Sequence, residues 1–137
     1  MTPPLWALLG FAVWTLLLVL VTIGGYRVGL VLLGKARPNA FPADTPHGPE
    51  WYRRAMRAHA NCVENLPIFG AVVLIGHTIG LQGGTFGTLA LATFAARVGQ
   101  TLAHLSSGRS LIVNVRFAFF LVQLVCVGAM VVQIARH

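Results

Sequence analysis

The sequence predicts an all-α integral membrane protein, a bundle of four transmembrane helices that takes up residues 1–137 as a single domain. Hydrophobic residues make up 56% of the 137-residue chain and charged ones only 9%, against about 25% charged in a typical soluble domain. The mean hydropathy is correspondingly high, +0.76. The apolar residues also fall into four stretches, at 5–23, 65–81, 85–105 and 117–134. A span needs about 20 apolar residues, with about 17 as a lower limit. The first and fourth stretches meet this alone, and the second and third do so once their polar inner ends are included.

The first helix is expected over 3–34. Thr2 followed by Pro3 reads as an N-cap with proline at the first helical position, and the run continues to Leu33 if Arg27 is tolerated near its end. A cleavable signal peptide is not expected, because Met1-Thr-Pro-Pro lacks a basic leader and the apolar run is too long. Between residues 35 and 50 lie Pro38, Pro42, Pro46 and Pro49, most of the seven prolines, which impose an irregular, stiff connection. Gly48-Pro49-Glu50 then opens a second helix, expected over 50–81, with an acid at its positive dipole end. Trp51 and Tyr52 fit an interfacial aromatic anchor, and Pro67 should bend this helix by freeing the carbonyl of Val63. Gly80, Gly83, Gly84 and Gly87 mark a short turn into a third helix over 85–106. Its small residues Ala92 and Ala96, and Ala95, Gly99 and Ala103, recur every fourth position, a pattern that permits close packing in lipid. That places the third helix at the centre of the bundle. A turn at 106–110 leads to the fourth helix, 109–135.

The formal net charge of +7 raises the question of nucleic acid, but its distribution argues otherwise. Threaded through four spans, Arg27, Lys35, Arg37, Arg53, Arg54, Arg57, Arg97, Arg109 and Arg116 all fall in one half of the bilayer or its loops. Only Arg136 lies at the other end. The positive-inside rule then makes the first and third loops cytoplasmic and both termini non-cytoplasmic. Cys62 and Cys126 sit on different helices in opposite halves, without metal or redox spacing, and read as buried thiols. His59, His77 and His104 do not share a depth and face that would make an axial haem pair. No motif for a metal, a phosphate loop or a hydrolytic nucleophile is present, and no metal is expected.

The informative residues are polar ones inside the spans. On a helix turning about 100° per residue, Arg53, Arg57, Asn61 and Glu64 fall within about 80° of one another. Arg97, Gln100, Thr101 and His104 share a face of the third helix, and Arg109, Arg116 and Gln123 a face of the fourth. Ionisable stripes inside a membrane are costly unless they face protein, water or a ligand. The only acids available to balance the arginines are Asp44, Glu50 and Glu64. The surplus cations therefore require water, headgroup phosphates or an anionic ligand. The competing reading is that individual arginines snorkel to headgroups or brace neighbouring helices.

The stretch Arg57-Ala-His-Ala-Asn61-Cys-Val-Glu64-Asn-Leu-Pro67-Ile-Phe69 resembles the second-helix signature of the membrane-associated proteins in eicosanoid and glutathione metabolism (MAPEG), roughly Arg-Ala-x-x-Asn-x-x-Glu followed by Pro-x-Phe. The runs around Arg97–His104 and Val115-Arg116-Phe117 look like that family's third and fourth helices, so the likeness covers the whole chain. It implies a homotrimer of four-helix subunits with glutathione, a co-substrate, bound between neighbours at the cytoplasmic side. It also implies that Arg57, Asn61 and Glu64 hold the peptide and that Arg116 activates the thiol, with Arg109 its rival on the same helix. Arg53, His59, Arg97 and Gln100 join the expected binding set, and His104 joins Arg116 and Arg109 in the expected catalytic set. Glutathione carries two carboxylates and one ammonium, so surplus cations with one acid suit it independently of the resemblance. A guanidinium beside a thiol favours the thiolate, which is the nucleophile.

The sequence departs from the family's eukaryotic enzymes, which carry a tyrosine on the third helix where this chain has His104, and often another tyrosine near Phe117. This mix points to a bacterial branch and an inner-membrane location. The resulting expectation is a glutathione-dependent transferase or peroxidase acting on a lipophilic electrophile that enters from the lipid. The alternative is a non-catalytic protein of the same fold that binds an anionic ligand or has a structural role.

Overall fold

The computed structural model describes residues 1–42 and 44–137. It is built of four long helices: α1 (Pro3–Leu32), α2 (Glu50–Thr78), α3 (Gly84–Ser106) and α4 (Ser110–Ala135). The chain reverses direction between successive helices, so both termini lie at one end of the bundle. The described residues of the 33–49 connection and the 107–109 turn lie at the other, where Gly108 shares a hollow with Glu50 and Arg54.

The helix ends follow from local chemistry. α1 and α2 stop two and three residues short of the expected 34 and 81 because Gly34 and Gly80 take left-handed conformations, φ +67° and +90°. After α1, the Lys35 amide donates to Leu30 O at 2.9 Å and the Gly34 amide to Val31 O at 3.0 Å. After α2, the Leu81 amide reaches Gly76 O at 2.9 Å and the Gly80 amide reaches His77 O at 3.2 Å. These paired bonds turn the last carbonyls back on the chain and end each helix at a glycine. α2 starts at Glu50 with Pro49 as its N-cap, and α4 starts at Ser110 with Arg109 as its N-cap. Thr2 occupies the N-cap of α1 with Pro3 behind it, but its hydroxyl makes no capping bond.

Among the described residues, three helices are long and apolar enough to cross a bilayer: α1, α2 and α4. α3 has 23 residues, enough to cross about 30 Å at about 1.5 Å per residue, but it is less apolar. Its polar residues Arg97, Gln100, Thr101 and His104 are all buried against neighbouring helices, where lipid does not meet them. α3 packs against each of the other three helices, as its small residues led one to expect. At Gly99 a Cβ would come within 2.8 Å of the Phe119 ring, so the missing side chain lets α4 close on α3.

One feature of α1 has no counterpart in the expected helix. Residues Val19–Gly24 form a π-helical turn, and the Thr22 hydroxyl donates to Leu18 O within it. The widened turn introduces an extra residue and changes the helix face beyond it. Ile23 and Tyr26 are thereby packed against Tyr52 and Ala55 near the start of α2. Tyr52 was expected at the membrane interface but is completely buried. Its hydroxyl accepts from Arg27 Nε at 2.7 Å and meets His47 Nε2 at 3.3 Å, tying α1, the loop and α2 together. Trp51 remains exposed, in keeping with an anchor.

The main apolar cluster lies toward the terminal end, around Ala7, Phe11, Phe69, Val73, Phe86 and Met130. Both cysteines are free and buried.

Candidate functional site: a polar crevice between three helices

The polar face of α2 divides along its length. Arg57 and Glu64 are exposed, while Asn61, between them, is half-buried and turned toward α3. Asn61 Nδ2 lies 3.1 Å from His104 Nε2. On the other side of the same ring, Nδ1 lies 3.1 Å from an Arg116 terminal nitrogen. One imidazole on α3 therefore joins the α2 asparagine to the α4 arginine.

A rail of amides holds α4 in this register. Gln100 Nε2 donates to the backbone carbonyl of Arg116 at 3.2 Å. Gln123 Nε2 donates to Gln100 Oε1 at 3.0 Å and to Phe119 O at 3.0 Å. Buried amides satisfied in this way fix the relative height of two helices, because sliding either one would strand donors in an apolar interior. The crevice they frame has a volume of about 280 Å³ and is lined by Asn61, Gln100, Val113, Arg116, Phe117 and Phe120. Its walls thus combine two amides and a guanidinium with two phenylalanine rings.

Toward the loop end, a second hollow of about 230 Å³ is lined by Glu50, Arg53, Arg54, Arg57 and Gly108. Another, of about 220 Å³, shares Arg53 and Arg57 with Asp44 and Met56. Among the described residues the only ion pair is Arg54–Glu50 at 3.5 Å. Glu64, in the middle of α2, has no cation partner within the chain among the described residues.

The expected site residues are therefore separated into groups. Asn61, Gln100, His104 and Arg116 come together at the crevice, with Arg57, Arg53 and Glu64 along the neighbouring face of α2. Arg109 does not join them: it is exposed at the N-cap of α4, about two turns and roughly 10 Å from Arg116 along the helix. His59 lies on roughly the opposite side of α2 from Arg57, half-buried, with Nδ1 unpartnered. Arg97 is 1% exposed and lies inside the subunit. Its guanidinium carbon is 5.3 Å from the centre of the Phe11 ring, an arrangement that offsets part of the cost of burying a cation. Its Nε and one terminal nitrogen have no hydrogen-bond partner. Gln123 had been noted only as one member of the polar face of α4. Its pairing with Gln100 depends on the rotation of both helices, which helical spacing on either one does not reveal.

This geometry defines an all-helical membrane protein with a cationic, amide-lined crevice near one end of its bundle. Residues 4–136 match the model of the MAPEG family, and the chain belongs to that family. Among curated proteins, none matches it.

Proposed function

We propose that this chain is a membrane-embedded, glutathione-dependent transferase or peroxidase acting on lipophilic electrophiles, with glutathione bound between subunits at the cytoplasmic side. The observation that carries this reading is the outward direction of Arg57 and Glu64 beside a crevice that contains Arg116. An exposed carboxylate in the middle of a spanning helix needs a partner, and the described residues of its own chain supply none. A neighbouring subunit bringing a zwitterionic peptide into the gap supplies one.

In this reading the subunits form a homotrimer, with both termini on the non-cytoplasmic side of a bacterial inner membrane. Arg57 and Asn61 donate to the carboxylates and backbone carbonyls of the peptide, and Glu64 takes its ammonium. Arg116 lies over the thiol and lowers the energy of the thiolate, which then attacks the electrophile. Phe117 and Phe120 offer an apolar wall for a co-substrate that arrives from the lipid. Isothermal titration of the detergent-purified trimer with glutathione should show saturable binding at one site per subunit. An intact trimer that gives no binding heat overturns the proposal.

One observation favours the second reading, a ligand-binding relative without chemistry. Both nitrogens of His104 are engaged within the chain, so the ring has no free position from which to relay a proton. A protein that binds glutathione but holds it as the thiol would fit this reading.

A further inference from the structure

The two contacts of His104 determine its tautomer. The arginine guanidinium carries only donors and stays protonated in proteins, so the nitrogen facing it, Nδ1, has to accept. The imidazole proton then resides on Nε2, which becomes a donor toward Asn61. Two donors cannot share a hydrogen bond, so the Asn61 carboxamide must present Oδ1 to the ring. Oxygen and nitrogen of a carboxamide exchange places by a half-turn that leaves the heavy-atom outline unchanged. The same turn leaves the Asn61 NH2 free of His104. Asn61 itself lines the crevice, where that NH2 is free to donate to a carboxylate or carbonyl of a ligand.

We propose that His104, as its neutral Nε2–H tautomer, is a positioning residue that couples Asn61 to Arg116 and aims the guanidinium at the crevice. The proposal deepens the glutathione reading by making binding and thiol activation depend on one ring. Arg116 receives support from both sides: Gln100 holds its backbone carbonyl at 3.2 Å and His104 holds its side chain at 3.1 Å. A flexible side chain held in this way reaches the thiol with less of its rotamer freedom left to lose. Asn61, with its carbonyl already engaged, offers its amide protons in a single direction.

Two measurements test this, and the first does not depend on glutathione. Nitrogen-15 NMR of protein labelled at histidine, with His104 assigned by the signal lost in His104→Gln, should show a pyridine-type Nδ1 and a protonated Nε2. A protonated Nδ1 overturns the proposal whether or not glutathione binds. The second uses the glutathione-loaded protein and follows thiolate ultraviolet absorbance alongside affinity. His104→Asn places an acceptor near the position of Nδ1 and removes the contact to Asn61. His104→Gln places an amide donor near Nε2 and removes the contact to Arg116. His104→Asn should weaken glutathione affinity more, by about tenfold, the worth of one well-made hydrogen bond. His104→Gln should lose more of the thiolate signal. Equal effects of both variants on both readouts would mean that His104 merely fills space. If the NMR result holds while glutathione fails to bind, the tautomer assignment stands and the ligand assignment falls.

Discussion

The two ends of this bundle solve different problems. At the terminal end, Ala7, Phe11, Val73, Phe86, Ala90 and Met130 close on one another inside a single chain. The buried hydroxyls of Thr15 and Thr93 return to their own helices, bonding Phe11 O and Leu89 O at 2.9 Å each. Neither hydroxyl draws on another helix. At the loop end, the buried side chains of Gln100, His104 and Gln123 bond across helices, Gln100 to Arg116 O, His104 to Asn61 and Arg116, and Gln123 to Gln100. The charges beside them, Arg57 and Glu64, remain outside. The difference is one of closure: the apolar end is packed within the subunit, while at the polar end Glu64 has no cation partner among the described residues.

The comparison breaks most visibly if the terminal end is damaged. The Phe86 ring points its tip at Gly76, where a Cβ would collide with it. Phe86→Ala leaves a cavity that lipid cannot reach, and should destabilise the subunit by about 3 kcal/mol. Thermal unfolding in detergent should record the loss, and the glutathione affinity of the protein that remains folded should be unchanged. A large fall in affinity would show that the two ends are coupled.

The converse change is Glu64→Gln. The side chain is exposed in the subunit, so folding should be unaffected. Glutathione binding should weaken by roughly 2–5 kcal/mol if the carboxylate pairs with the ligand ammonium in a desolvated site. Calorimetry showing unchanged affinity in an assembled trimer would remove Glu64 from the site.

Arg116→Leu should act on chemistry more than on binding. Bound glutathione in the parent protein should absorb as thiolate at pH 7, below the pKa of about 8.5 of a free thiol. A shift of one pKa unit corresponds to about 1.4 kcal/mol, so losing the guanidinium should reduce the thiolate-to-thiol ratio by about tenfold or more, read from the thiolate absorbance. Arg109→Leu should change it little, because Arg109 lies at the exposed N-cap away from the crevice. If Arg109→Leu has the larger effect, the thiol sits nearer the 107–109 turn than the crevice implies.

The smallest effect is expected at the amide rail. Gln123→Leu removes the bonds to Gln100 and to Phe119 O, and inter-helix hydrogen bonds in membranes are worth about 0.6 kcal/mol on average. The unfolding midpoint should fall only slightly. The thiolate signal should fall with it, since Gln100 would lose the partner that fixes its reach to Arg116 O.

Much of this arrangement was legible in the residues alone. Composition and four apolar stretches led to an all-helical membrane bundle, because hydrocarbon leaves backbone polar groups no alternative to helices within a chain of this kind. The run Arg57–Phe69 led to the family, since spacing and residue type are both constrained over many positions. Helical spacing correctly grouped Arg57 with Asn61 and Glu64, because it depends only on the rotation per residue within one helix.

What lay between helices was decided by the tertiary structure. Spacing put Arg97 and His104 on one face of α3, yet the first faces Phe11 within the subunit and the second faces Asn61 and Arg116. A face spans about 100° and several turns, and different neighbours cover its two ends. Arg109 and Arg116 were likewise equivalent by spacing, and became distinct only once α4 had a height relative to α3, set by Gln100 and Gln123. Tyr52 had the sequence context of an interfacial aromatic, and a π-helical turn two dozen residues or more earlier in the chain turned Tyr26 and Ile23 onto it. Periodicity along one strand of sequence records what a helix does to its own side chains. Which of those side chains meet depends on the rotation and height of separate helices, and these are set by packing.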